Sequence, residues 1–123
     1  CPGSGIIING KVLGGVSNFA GEVGNLPYYV INQKERKIGG LNEFAEGVLR
    51  TIMSVNCLIN PRTIVLSGYQ FDDAVISQIK DAAKKYISDL HMPIIEYEKD
   101  IHESYVNGLT SIALEQLTYN FNI

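Results

Sequence analysis

The chain has 123 residues, 46% hydrophobic and 19% charged, the composition of one ordinary globular domain with a core of its own. A net charge of −3 and a pI of about 5.3 argue against a basic face that grips nucleic acid, and the short runs Lys84-Lys85 and Lys34 to Lys37 are interleaved with acids. No apolar run approaches the roughly 20 residues of a membrane span. Cys1 and Cys57 form neither a metal-ligand spacing nor a disulfide framework, and no signal-peptide pattern opens the sequence, so a reducing, cytoplasmic setting is expected.

Gly5 to Asn9, GIIIN, is a short β-branched strand candidate. Asn9-Gly10 follows, the strongest short hairpin signal, because both central positions of a type I′ turn need positive φ. Lys11 to Leu13 starts the returning strand and Gly14-Gly15 ends it. Val16 to Gly24, rich in Gly, Ser and Asn, reads as a loop or short helical turn. Tyr28, Tyr29, Val30 and Ile31 suggest an edge strand, Lys34 to Lys37 a solvated turn, and Gly39-Gly40 a break before the first long helix.

That helix is expected over about Leu41 to Leu58. Leu41, Phe44, Ala45, Val48, Leu49, Ile52 and Val55 or Asn56 follow helical spacing, Cys57 reads as a small buried residue, and Asn60-Pro61 supplies the stop. Thr63 to Ser67, TIVLS, suits a buried parallel strand. A second helix is expected from about Asp72 to Ser88, with Val75, Ile79, Ala82 or Ala83 and Tyr86 on its inner face. Pro93 to Tyr97, PIIEY, is the next strand. A last helix, about Glu103 to Thr118, should carry Tyr105, Leu109, Ile112, Ala113 and Leu117 inward. The predicted order is a β-hairpin followed by α-β-α-β-α, an α/β layered domain whose two later strands are joined by a right-handed parallel crossover.

Several positions have side chains or backbone suited to a ligand. Gly3-Ser4-Gly5 can present backbone N–H groups to a phosphate, although a plain tight turn explains the same residues. Glu22, between Gly21 and Val23-Gly24, places a carboxylate in a glycine-flanked loop where it can accept from sugar hydroxyls; a solvated loop acid is the simpler alternative. Gly68 follows a buried strand and precedes a helix, the place where ligands collect in α/β sheets, yet Tyr69 and Gln70 stand where further glycines would admit a nucleotide. His91 and His102 have no evident partner, Asp72-Asp73 reads as helix capping, and Glu96, Glu98 and Asp100 as solvated acids.

Taken in order, these segments resemble the ROK family of repressors, open reading frames and sugar kinases, which includes xylose- and N-acetylglucosamine-responsive repressors. GSGIIINGKVLGG looks like its GxGIIxxGxxxxG segment, and SNFAGEVGN like its G-x-A-G-E-x-G-H turn. LINPRTIVLSG resembles its helix, Asn- or Asp-Pro and strand ending in Gly, and SYVNGLTSIAL its small-residue last helix. The resemblance covers most of the chain. It implies most of the C-terminal domain of an actin-like ATPase fold, related to ribonuclease H. The first strand and the N-terminal domain, with its catalytic Asp or its DNA-binding winged helix, are then expected to lie outside a sequence that opens on Cys1.

By the same resemblance Glu22 contacts a sugar, and Asn25 stands where the family has a His that serves both sugar and zinc. The family's cysteine-rich zinc run is missing from the roughly fifteen residues between Asn25 and the long helix, so no metal or other cofactor is expected. Glu22 and Asn25 are thus the expected sugar contacts, with Gly3, Ser4, Gly5 and Gly68 as weaker phosphate or nucleotide contacts. The expected function is the sugar- or phosphosugar-sensing domain of a transcriptional regulator that makes no DNA contact through this segment. The alternatives are part of an ATP-dependent hexose kinase, inactive in isolation, or a ligand-free oligomerisation domain. An unpaired sheet edge leads to the expectation of a homo-oligomer.

Overall fold

Asn9 and Gly10 both take positive φ, 53° and 76°, and close a two-residue turn between β1 (Ile7–Ile8) and β2 (Lys11–Val12). The strands are antiparallel, with Ile7 opposite Val12 and Ile8 opposite Lys11. This ribbon is the first of two small sheets in a computed structural model that describes residues 2–30 and 40–121. The expectations for Ile31, for Lys34 to Lys37 and for Gly39, like those for Cys1, fall outside the described residues.

A 3₁₀ turn over Val23–Asn25 leads into a short helix, α1 (Pro27–Val30). The edge strand expected over Tyr28 to Val30 is therefore helical. Pro27 at its first position has the φ a helix start needs and no N–H to leave unsatisfied, and this outweighs the β-propensity of Tyr and Val.

The long helix α2 (Glu43–Ile59) begins where Asn42 caps it: Asn42 Oδ1 accepts from the Ala45 N–H at 2.8 Å, and Glu43 and Glu46 lie in the first turn, favoured by the helix dipole. It ends at Asn60, whose left-handed backbone (φ 50°) precedes Pro61. Then come β3 (Thr63–Leu66), α3 (Asp73–Ala83), β4 (Ile94–Tyr97) and α4 (His102–Phe121). Strands β3 and β4 pair in parallel, Thr63 beside Ile94 through Leu66 beside Tyr97, so the fold is α/β with a helix between two parallel strands.

The core lies between α2, α3 and one face of this sheet. Leu49, Ile52 and Ile79 are the largest fully buried side chains, joined by Ala45, Val48, Ala82, Ala83, Ile87 and Ile95. Ile64 and Leu66 pack on it from β3. Phe71 meets Phe44 edge-on with ring centroids 5.0 Å apart, and Tyr97 donates its hydroxyl to the Phe71 carbonyl at 2.8 Å.

Four expectations of burial are corrected. α3 stops at Ala83 because Lys85 and Tyr86 bond back three residues, to Ala82 and Ala83. That tightening turns Ile87 into the core and leaves Tyr86 exposed. Among the described residues strand β3 is covered on one face only, and Val65 remains 58% exposed on the same face of the sheet as Ile94 at 55%. Cys57 is exposed, in the last turn of α2 beyond Ile52, the last of its buried positions. Along α4 every described side chain is exposed, including Tyr105, Leu109, Ile112, Ala113 and Leu117.

Candidate functional site

The two glycine-rich turns singled out by sequence meet in space. The Ser4 N–H donates to the Gly21 carbonyl at 3.0 Å and the Ser4 hydroxyl donates to the same oxygen at 2.8 Å. Gly21 holds φ of 95°, and a Cβ there would lie against the Ser4 carbonyl oxygen, far inside van der Waals contact. Only glycine meets both conditions. The hairpin reinforces the approach through the Leu13 N–H donating to the Ile6 carbonyl at 2.8 Å, and the intervening loop is closed by Ala20 N–H to the Gly14 carbonyl at 3.1 Å.

Glu22 occupies the centre of an inverse γ-turn: its φ and ψ are −74° and 61°, and Val23 N–H donates across it to the Gly21 carbonyl at 2.7 Å. The Glu22 carbonyl then accepts from the Asn25 N–H at 3.0 Å, so both residues sit on one tight turn, both exposed. Val23, buried between them, anchors the turn. The sequence thus places a carboxylate and a carboxamide one turn apart in a loop whose own backbone polar groups are largely paired. A carboxylate accepts from hydroxyls, and an amide both donates and accepts, which suits a polyol or sugar.

The anion reading of Gly3 to Gly5 is narrowed by the same bonds. The Ser4 N–H and hydroxyl both point at Gly21, so an anion on this turn would depend on the N–H groups of Gly3 and Gly5. Gly68 stands at the end of β3 with φ of 138°. Its carbonyl accepts from the Phe71 N–H at 3.2 Å, and no hydrogen bond among the described residues links it to the Ser4–Gly21 contact. Ser67 donates to the Glu98 carbonyl at 2.8 Å, and Lys99 pairs with Asp73 at 3.0 Å, so the carboxyl edge of the parallel sheet is laced across by its own side chains. The hydrogen bond and charge of Asp73 raise the Lys99 ammonium above its ordinary value.

The anchoring of the loop to the core was not visible in sequence. Tyr29 N–H donates to the Leu26 carbonyl at 2.9 Å, and the hydroxyls of both Tyr28 and Tyr29 meet Thr51 Oγ1 on α2. Thr51 in turn donates to the Gly47 carbonyl, and the bare Cα of Gly47 lets the Tyr29 ring lie close to the helix. Burial pushes the Tyr28 phenol up to about 12, which keeps it a neutral hydrogen-bonding group. A glycine and a threonine one turn apart in an otherwise apolar helix face were the only signal, and a weak one.

His91 and His102 take part in local bonds through their main chain. The His91 carbonyl accepts from Asn56 Nδ2 at 3.1 Å, and the His102 N–H donates to Asp100 Oδ1 at 2.9 Å. Asp72 caps α3 by accepting from the Val75 N–H at 2.7 Å. Among the described residues no group of three or more His, Cys, Asp or Glu side chains converges as metal ligands, and no helix is long and apolar enough to cross a membrane. No protein-family model, curated protein or solved structure matches the chain significantly.

Proposed function

We propose that this chain is the sugar- or phosphosugar-sensing part of a ROK-type regulator, and that its α/β unit belongs to the C-terminal domain of an actin-like fold. The observation that carries this is the Ser4–Gly21 contact, which brings the glycine turn at Gly3 to Gly5 beside the turn presenting Glu22 and Asn25. The order of hairpin, helix and parallel strands fits the same reading. Glu22 accepts hydrogen bonds from sugar hydroxyls, and Asn25 supplies a donor and an acceptor next to it. The sugar acts by binding one arrangement of the whole protein better than another, and its differential affinity sets the shift. Contact with DNA belongs to other segments of such a regulator.

Calorimetry of the full-length protein with a panel of hexoses, pentoses and their phosphates tests this. One class is expected to bind, with Glu22→Ala weakening it about tenfold or more, the range of a charge-assisted hydrogen bond. Absence of binding by the wild type, or binding indifferent to Glu22→Ala, overturns a sensor at this site. Consumption of ATP that depends on added sugar replaces the sensor with a sugar kinase.

A further inference from the structure

We propose that Asn9-Gly10 is a site of spontaneous backbone modification, the conversion of Asn9 to aspartate and isoaspartate through a succinimide. The fold selects it over the identical dipeptide Asn107-Gly108. The chemistry is intramolecular. The Gly10 backbone nitrogen loses its proton to base and attacks Cγ of Asn9. The bond from Cγ to Nδ2 breaks, and the amide leaves as ammonia after gaining a proton. Water then opens the five-membered imide, at Cγ to give aspartate or at the main-chain carbonyl carbon to give isoaspartate. Nothing is oxidised or reduced, and solvent water is the sole co-reactant. Glycine after asparagine favours the step because no Cβ shields the attacking nitrogen. This is the chemistry behind the thermolability of asparagine.

What separates the two dipeptides is the resistance of the backbone to the rotation that brings nitrogen to Cγ. At Gly10 there is open space where a side chain would be, and neither the Gly10 N–H nor the Asn9 amide has a hydrogen-bond partner among the described residues. The turn is held by the pairing of Ile7 with Val12 and Ile8 with Lys11, all four of them exposed, and by one further bond at the base of the ribbon, from the Leu13 N–H to the Ile6 carbonyl. A two-stranded ribbon without a covered face is marginally stable at best. Its opening belongs at the low end of local unfolding free energies. Asn107 and Gly108 instead lie inside α4, where each N–H is held in the i to i−4 ladder and ring closure must break several helical bonds together. Aspartate at position 9 adds a negative charge to the tip. Isoaspartate adds a methylene to the main chain, so the two central residues no longer fit a type I′ turn and the pairing of Ile7 with Val12 is lost.

The full chain is incubated at mildly alkaline pH, in native buffer and in concentrated urea, and digested with trypsin. Asn9 is the sole asparagine between Cys1 and Lys11, and the peptide beginning at Asp100 holds Asn107 together with Asn120 and Asn122, so fragment-ion spectra locate the added mass at a single residue in each peptide. In native buffer Asn9 is expected to gain one dalton within about twofold of its rate in urea, and about tenfold faster than Asn107. The rate should rise with pH, since the attacking nitrogen must lose its proton. Asn9→Gln, which would have to close a six-membered ring, abolishes the change in the Lys11 peptide. Protection of Asn9 in native buffer relative to urea, conversion of Asn107 as fast as Asn9, or a one-dalton gain persisting in Asn9→Gln each overturns the proposal.

Discussion

Gly21 sets the geometry on which the candidate site depends, and two substitutions separate its role from that of its partner. Ser4→Ala removes the hydroxyl bond to the Gly21 carbonyl but keeps the main-chain one. The expected loss is about 0.5–1.5 kcal/mol, the net worth of one hydrogen bond. Gly21→Ala both strains a residue at φ of 95° and drives a methyl group into the Ser4 carbonyl, which is main chain and cannot swing aside. A cost of about 1–3 kcal/mol from the backbone conformation alone is expected, with the clash added to it. Denaturant midpoints give the totals, and exchange of the Ser4 amide reads the contact itself. That amide should lose its protection in Gly21→Ala and keep most of it in Ser4→Ala. Equal effects of the two variants would mean that the backbones do not approach as closely as the structure has them.

Secondary elements were legible in this sequence where a local pattern and its cap agree. In α2 the apolar spacing of Ala45, Val48, Leu49 and Ile52 lies between the Gly39-Gly40 break and the Asn60-Pro61 stop, and the helix, capped by Asn42, forms within a residue or two of its expected limits. The hairpin was equally legible, since Asn9-Gly10 supplies the two positive-φ positions. Glu22 stood out because glycines flank it. The Ser4–Gly21 contact did not, because it joins residues seventeen positions apart, and no local pattern encodes such a pairing. Periodicity misled in α4 for a related reason: spacing names a face but not what covers it. Tyr105, Leu109 and Ile112 form one stripe, Val106, Ala113 and Leu117 a second, and both are exposed. Truncating the two helices should therefore differ sharply. Ile79→Ala, at a fully buried position of α3, is expected to cost about 2–5 kcal/mol. Leu109→Ala, at 51% exposure, should change the denaturant midpoint by no more than about 0.5 kcal/mol. A cost for Leu109→Ala approaching that of Ile79→Ala would show that α4 packs on a partner.

At the scale of the whole molecule, the apolar surface of the described residues is distributed unevenly between one well-filled core and exposed faces. Val65 and Ile94 mark the bare side of the parallel sheet, Ile7 and Val12 the ribbon, and Tyr105 through Leu117 the last helix. Exposed apolar surface of this kind favours association, and among the described residues strands β3 and β4 each have an unpaired edge in their two-stranded sheet. The opposing force is electrostatic. The net charge is −3, and Glu103 and Glu115 place negative charge on α4 itself. Repulsion between like-charged copies acts over about 10 Å at 0.1 M salt and shrinks as salt is added, whereas apolar contact is not screened and is strengthened by excluded salts such as sulfate. The chain alone in solution is therefore expected to self-associate with rising concentration, and more strongly with added sodium sulfate. Light scattering across a concentration series at low and high salt measures both effects. Association that weakens with salt would assign it to ion pairs instead, and a monomer at every concentration would show that these faces do not drive copies of the chain together.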